Sequence, residues 1–186
     1  MTNSEIKGNL EQNTYVKGGV QAFADGNNAK AEANVGRIDG AVVKGDLKQY
    51  TNVYGSVLSK ATGNNTYART DIGAIEGVEV GGKLEQYTNI YGNVTTTAEG
   101  NNSRAVAELG KIKNFQSGGD VYQSTTITGD VFTYAKDGAT ACTAVGLMGQ
   151  SDCCAGERDD EKLEQLHPRR IARGRARKGP SASARR

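Results

Sequence analysis

Amide and hydroxyl side chains recur at fixed spacing along this chain of 186 residues. A glutamine returns every 37 residues, with a threonine two residues later, at Gln12, Gln49, Gln86, Gln123, Thr14, Thr51, Thr88 and Thr125. A carboxamide both donates and accepts hydrogen bonds, so stacked glutamines can bond in a column, and stacked threonine hydroxyls can chain in the same way. The chemistry that this spacing favours is cohesion between stacked segments.

Catalytic chemistry is not indicated by the remaining polar residues. The one histidine is His167, so residues 1–150 contain none that could activate a nucleophile. The candidate carboxylates lie at positions that vary between copies and predict a solvated face: Asp71, Glu76, Glu85, Glu99 and Glu108. The Gly-Asn-Asn triplets lack the lysine of a phosphate loop. We therefore expect no enzyme, no metal and no cofactor.

The three cysteines, Cys142, Cys153 and Cys154, fit no zinc spacing. An odd number leaves at least one thiol without a partner inside the chain. Two interpretations stay open, namely free thiols or cross-links between subunits in an oxidising space.

These residues belong to four copies of one unit, at 8–44, 45–81, 82–118 and 119–149, between a lead at 1–7 and a tail at 150–186. Self-similarity at a fixed period is the signature of a repeat architecture. Each copy opens with strict alternation, as in Leu47, Gln49, Thr51 and Val53, which indicates β-structure. One face is kept between copies and the other varies, which predicts an inside and an outside.

A tight turn follows the first run of each of the first three copies, at Gly-Asn-Asn, because glycine and asparagine tolerate positive φ. The predicted turn residues are Gly26, Asn27, Gly63, Asn64, Gly100 and Asn101, and the fourth copy has the shorter Asp137-Gly138 instead. A second alternating run, a glycine and a short third piece such as Val78–Val80 complete the unit.

The predicted fold is all-β, a β-solenoid of four 37-residue repeats with one coil per repeat and about 4.8 Å between coils. The first run is too long to stay straight within one coil. We expect it to bend at Gly18, Gly55, Gly92 and Gly129.

The tail differs from the repeats in composition. It could form a short helix ending at Leu166, before Pro168, and then continue as an Arg-rich, disordered segment. Basic segments can bind nucleic acid through phosphates, but we do not favour this role. The tail shares nothing with the repeats, so a fused, poorly selected or mistranslated terminus is the other interpretation. No apolar run is long enough for a membrane span, and no secretory signal is visible.

The second repeat contains a pattern of small residues and asparagines at Gly55, Val57, Ala61, Gly63, Asn64, Asn65 and Ala68. In this pattern the repeats resemble those of bacterial functional amyloids, especially the Fap-type fibrillin, and the inward glutamine is similar to that of curlins. The resemblance implies an extracellular fibre of a biofilm matrix or sheath, with other matrix components as further partners.

The first and last coils carry the same inward pattern, and the seven-residue lead leaves little room for a cap. Exposed strand edges recruit further chains, so we expect head-to-tail assembly of the protein with itself. Two alternatives stay open: a monomeric solenoid acting as an adhesin or surface-binding protein, and an intracellular filament resembling bactofilins.

Overall fold

Each repeat forms one coil of a parallel β-solenoid in the computed structural model, which confirms the predicted fold. The structure describes residues 1–149 and, within the tail, the backbone of residues 164–166 and 172–176. Coils one to four correspond to the four repeats. Each coil contributes strands to up to five sheets. We number the sheets in the order in which the chain passes through them within one repeat.

The three longer strands of each coil form the first, second and third sheets. The first sheet contains Leu10–Val16 (β2), Leu47–Val53 (β7), Leu84–Ile90 (β12) and Val121–Ile127 (β17). The second contains Val20–Asp25 (β3), Val57–Thr62 (β8), Val94–Glu99 (β13) and Val131–Lys136 (β18). The third contains Lys30–Val35 (β4), Tyr67–Ile72 (β9), Arg104–Leu109 (β14) and Thr140–Val145 (β19).

Two-residue strands close each coil. The fourth sheet contains Ile38–Asp39 (β5), Ile75–Glu76 (β10) and Ile112–Lys113 (β15). The fifth contains Glu5–Ile6 (β1), Val42–Val43 (β6), Glu79–Val80 (β11) and Gln116–Ser117 (β16). The strand β1 belongs to the lead, so the fifth sheet begins one step before coil one.

Register between neighbouring coils follows the repeat. Leu84 pairs with Leu47, and Gln86 pairs with Gln49, each 37 residues apart. In coil four the shorter turn reduces the offset, so that Thr140 pairs with Arg104. Equivalent side chains therefore lie directly above one another along the axis.

The first run of each coil divides between the first and second sheets, with a bend at the predicted glycine. At Gly55 an added Cβ would lie 2.7 Å from the carbonyl carbon of Gly18, one coil below. The backbones stack so closely at this bend that a side chain has no room there.

The interior contains three apolar clusters. One joins the first, fourth and fifth sheets around Ile38 and Leu47, and a second lies where the first three sheets meet, around Val57. The third, between the second and third sheets, contains only alanine, at Ala22, Ala24, Ala61, Ala68, Ala98 and Ala105. Regular stacking of small side chains thus replaces the large aromatic core that the composition lacks.

The helix expected to end at Leu166 is wrong for Glu164–Leu166, which forms strand β20 and pairs antiparallel with β18. Ala172–Ala176 forms strand β21, antiparallel to β17. An open parallel edge offers a row of unpaired backbone groups, which favours extended over helical structure in a segment that reaches it.

Candidate assembly surfaces

The glutamines form a hydrogen-bonded column through the interior. Gln49 Nε2 donates to Gln12 Oε1 at 3.0 Å, Gln86 Nε2 to Gln49 Oε1 at 3.1 Å, and Gln123 Nε2 to Gln86 Oε1 at 2.8 Å. Every bond runs in the same direction, from the later coil to the earlier one. The column therefore has a donor end at Gln12 and an acceptor end at Gln123.

The same amides also contact the backbone at the corner between the third and fourth sheets. Gln86 Nε2 donates to the carbonyls of Gly73 and Lys111, and Gln49 and Gln123 donate to the equivalent carbonyls of Gly36 and Gly110. These bonds satisfy amides that are essentially unexposed, which offsets the cost of burying them.

The threonine hydroxyls do not form the chain that we expected. Thr51, Thr88 and Thr125 are fully buried, and their Oγ1 atoms have no hydrogen-bond partner in the described part of the chain. Identical hydroxyls one coil apart are separated by the coil spacing of about 4.8 Å, which is too long for a hydrogen bond. A carboxamide spans this distance because its donor and acceptor atoms lie on opposite sides of one group.

The threonines instead pack against the glycine corner. Gly73 has φ +64°, and a Cβ added there would lie 2.3 Å from Thr88 Oγ1. Glycine is needed at this corner because the backbone is left-handed and because a Cβ would collide with the Thr88 hydroxyl. The positions Gly36 and Gly110 repeat this arrangement with φ +64° and +65°.

The Gly-Asn-Asn triplets form the expected turns, with the left-handed conformation at the glycine and the second asparagine. Gly26 has φ 98° and Asn28 has φ 60°. Asn27 has a different role, because its Oδ1 accepts a hydrogen bond from the backbone N–H of Asn64 at 3.4 Å and so links two coils. The turns at Gly63 and Gly100 have the same positions of positive φ.

Tyrosines stack on the outer face of the first sheet and at the positions directly after its strands. Tyr50 and Tyr87 have ring centroids 4.8 Å apart, and Tyr54 and Tyr91 are 4.7 Å apart. The hydroxyls of Tyr15 and Tyr54 share a 2.7 Å hydrogen bond, and this bond, which the protonated Tyr54 hydroxyl retains, raises the pKa of Tyr54 to about 12. The outer face is thus ordered by the same register as the interior.

Two carboxylates expected on a solvated face are buried instead. Asp71 and Glu108 are about 1% and 3% exposed, because the corner at the end of the third sheet brings basic side chains over them. Arg69 Nε lies 2.8 Å from Asp71 Oδ1, and Arg69 Nη2 lies 2.7 Å from Glu108 Oε2. Lys111 Nζ lies 2.8 Å from Glu108 Oε2.

Burial raises the pKa of the Asp71 carboxyl, and the hydrogen bond from Arg69 only partly opposes this. Burial also lowers the pKa of Arg69, but the bonds and charges of Asp71 and Glu108 reverse the effect, and its pKa ends above the ordinary value. The group links coils two and three as a paired network. Opposite charges at spacings of two and 39 residues were the sequence signal for it.

Cys142 is disulfide-bonded, so the free-thiol interpretation does not hold for this residue. The other two cysteines of the sequence, Cys153 and Cys154, lie outside the described residues. Disulfides persist mainly in oxidising compartments.

The edge before coil one exposes β2, β3 and β4, which end their sheets. The lead covers only the short sheets there: Thr2 bridges to Asp39, and β1 pairs with β6. The predicted inert lead therefore takes part in the fold, and residues 2–7 occupy the places that residues 39–44 have in the repeat.

The edge after coil four consists of β17, β18 and β19. The tail strands β21 and β20 lie on the first two of these, and β19 ends its sheet. The tail pairs antiparallel, whereas every pairing between coils is parallel.

No cluster of metal-binding side chains occurs within the residues that the structure describes. Nor do those residues include a helix long and apolar enough to cross a membrane. Comparison with known proteins found no matching family model, no similar curated protein and no similar solved structure.

Proposed function

We propose that the protein is a structural subunit that assembles head to tail into an extracellular, amyloid-like fibre of the kind formed by curlins and Fap-type fibrillins. The observation that carries the proposal is the direction of the glutamine column. Gln12 presents an amide donor at one edge, and Gln123 presents an amide acceptor at the other. A second copy stacked in register continues the column with the same bond.

Other positions also match across such a junction. In such a stack, Val121 of coil four would lie over Leu10 of the next copy, and Lys136 would lie next to Asp25, which has the opposite charge. Tyr134 meets Phe23 on the same outer face. Parallel, in-register stacking of like residues is the arrangement that stabilises amyloid fibres.

Two features bear on where and when assembly occurs. The disulfide of Cys142 supports an oxidising location over the cytoplasm of a bactofilin-like filament. The tail strands β20 and β21 occupy part of the edge that the next copy needs. Assembly by this route therefore requires the tail to leave that edge.

The test is electron microscopy of the full chain, before and after release of the tail at a protease site inserted between Gly156 and Glu157. Cutting there leaves all three cysteines on the solenoid. The proposal predicts unbranched filaments with an axial repeat of about 19 Å, four coils of about 4.8 Å each. Monodisperse particles both before and after cleavage, at any concentration, contradict it.

A charge swap tests the predicted register. Lys136→Glu places two acids together at the junction and should raise the critical concentration about fivefold, since exposed pairs contribute up to about 1 kcal/mol. Asp25→Lys in the same chain restores an opposite-charge pair and should recover assembly. Equal assembly of the single and double variants would rule out this register.

A second candidate function is a monomeric solenoid that binds a surface, such as an adhesin. The tail pairing favours it, because antiparallel strands on β17 and β18 cover part of one edge. In that case the tail-released protein stays monomeric, and the outer face of the first sheet, with its tyrosine stacks, is the surface to test for binding.

A further inference from the structure

Two exposed tyrosines of neighbouring coils meet at their hydroxyls. Tyr15 is 64% exposed and Tyr54 is 41% exposed, and their hydroxyl oxygens lie 2.7 Å apart. Their ring centroids are 4.8 Å apart, with an angle of 34° between the ring planes. The two rings therefore converge at their hydroxyl ends, on a part of the surface that a dissolved reagent can reach.

The backbone between coils one and two fixes this contact. Tyr15 pairs with Asn52, and Tyr54 follows Asn52 by two residues. The Tyr54 N–H donates to the Val16 carbonyl at 2.8 Å, so the ladder continues past the end of β7. On the other side of Tyr54, the ring of Tyr91 stacks at 4.7 Å and 15°. Tyr54 is thus positioned both by its backbone and by its neighbour in coil three.

The arrangement of the two hydroxyls is that of a coupled phenol. One-electron oxidation of a phenol gives a radical with unpaired spin on the ring carbons next to the hydroxyl, and two such radicals join through these carbons. In the product, dityrosine, both hydroxyls flank the new bond and hydrogen-bond to each other. Tyr15 and Tyr54 have this hydroxyl pairing before any reaction, and groups held in the geometry of a product react at a high effective concentration.

We infer that Tyr15 and Tyr54 form an oxidative modification site, at which a dityrosine bond between their Cε atoms joins coils one and two. The oxidant is hydrogen peroxide, with a peroxidase as the catalyst. Each phenol gives up one electron and one proton, the rings form a carbon–carbon bond, and the hydrogens of the joined carbons move to the oxygens and restore both hydroxyls. The chain loses two hydrogen atoms in total, and hydrogen peroxide is reduced to two molecules of water.

The other tyrosine pairs of this face are arranged less favourably for coupling. Tyr50 and Tyr87 stack at 14°, and Tyr54 and Tyr91 stack at 15°, so they present ring faces rather than the ring edges that carry Cε. Tyr87 and Tyr122 are tilted, but their centroids lie 5.3 Å apart and both side chains are partly buried. Among the described tyrosines, no other pair shares a hydrogen bond between its hydroxyls. We therefore expect the linkage to be selective for Tyr15 and Tyr54.

Treatment of the full chain with peroxidase and hydrogen peroxide tests the site. Dityrosine fluorescence measures the yield, and mass spectrometry measures the loss of two hydrogen atoms per linkage. After denaturation, trypsin cleaves behind lysine and arginine, so the linkage should join peptide 8–17, which contains Tyr15, to peptide 49–60, which contains Tyr54. The yield per chain should not depend on protein concentration, because both rings belong to one molecule.

Phenylalanine variants locate the linkage. Tyr15→Phe and Tyr54→Phe each remove one reacting hydroxyl and should lower the initial rate of dityrosine formation at least about fivefold, because the remaining tyrosines lack the positioning of this pair. Tyr50→Phe is the matched control, since it removes a tyrosine from the same sheet face and from the same tryptic peptide as Tyr54. The control should change the rate less than about twofold, because it leaves the positioned pair intact.

Urea unfolding provides a second measurement. A bond between Tyr15 and Tyr54 links positions 39 residues apart and so restricts the unfolded chain. The oxidised wild type should therefore unfold at a higher urea concentration than the untreated protein, whereas oxidised Tyr15→Phe should keep the midpoint of its untreated form.

The inference is overturned by equal rates in the three variants, by a linkage that maps to other tyrosine peptides, or by dityrosine that occurs only in covalent dimers. It concerns a bond within one chain and does not rest on the fibre. Filament formation by untreated protein tests the fibre, so the two proposals fail separately.

Discussion

Replacing Gln86 by leucine tests whether the glutamine column holds the coils together. Gln86 is fully buried and is the only described donor to Gln49 Oε1, and it also donates to the carbonyls of Gly73 and Lys111. The Lys111 carbonyl keeps its bond from the Ile75 N–H. Leucine leaves Gln49 Oε1 and the Gly73 carbonyl buried without that donor, at about 1–3 kcal/mol each. The added apolar burial returns about 1–2 kcal/mol, so we expect a net loss of about 3 kcal/mol in the free energy of unfolding.

Gln12→Leu is the matched control at the end of the same column. Gln12 is partly exposed and accepts one bond, from Gln49, which keeps its bond to the Gly36 carbonyl. We expect the control to cost less than about 1 kcal/mol in the monomer. Assembly should respond in the opposite order to monomer stability. Gln12 makes the bond across the junction between two copies, so Gln12→Leu should raise the critical concentration for filament formation more than Gln86→Leu does.

Urea unfolding of the monomers, followed by circular dichroism in the β-sheet band, measures the difference. The slope with denaturant should stay the same, since the exposed surface is unchanged. A Gln86→Leu protein as stable as the wild type, or no less stable than the Gln12→Leu protein, would refute the reasoning that the column contributes cohesion.

Two further predictions concern single positions. Gly73→Ala should destabilise the fold by at least about 2 kcal/mol in thermal unfolding, since it forces alanine into the left-handed region and places its Cβ 2.3 Å from Thr88 Oγ1. The control Gly18→Ala should cost far less in the same assay, because a Cβ at Gly18 has nothing within 4 Å. Because the Tyr15 bond raises the pKa of Tyr54 to about 12, above the ordinary value of 10.0, the folded state keeps this proton longer and its contribution to stability is lost as the pH rises from about 10 to 12. Ultraviolet titration of the phenolates should show Tyr54 among the tyrosines that ionise late, together with Tyr87, whose pKa burial raises. Tyr15→Phe should return Tyr54 to the ordinary range and reduce the late-ionising signal; an unchanged titration would argue against the bond.

The repeat and its alternation predicted most of the fold. Inward Leu47 and outward Lys48 follow directly from period-two patterning, and the bend at Gly55 follows from the length of the run. These features depend on local chain geometry and on identity between copies, both of which a single sequence contains. The two-residue strands of the fourth and fifth sheets are too short to show a period.

The candidate assembly surfaces could be predicted only in part. The glutamine column follows from chemistry at fixed spacing, but the failure of the threonine chain depends on the distance between hydroxyls, which the sequence does not contain. Burial of Asp71 was missed because an outward position in a strand need not be solvated when the chain turns back beside it. The pairing of β1 was missed because a short lead resembles an inert terminus.

Strict register between coils has a consequence for the evolution of the chain. Coils two and three meet their neighbours through the same backbone contacts, so a gene duplication of one 37-residue unit would insert a complete coil and leave both ends unchanged. The buried carboxylates of Asp71 and Glu108, which need Arg69 beside them, restrict which unit can be copied next to which. Length can therefore change by recombination in steps of one coil, while the surfaces at which subunits meet stay under separate selection.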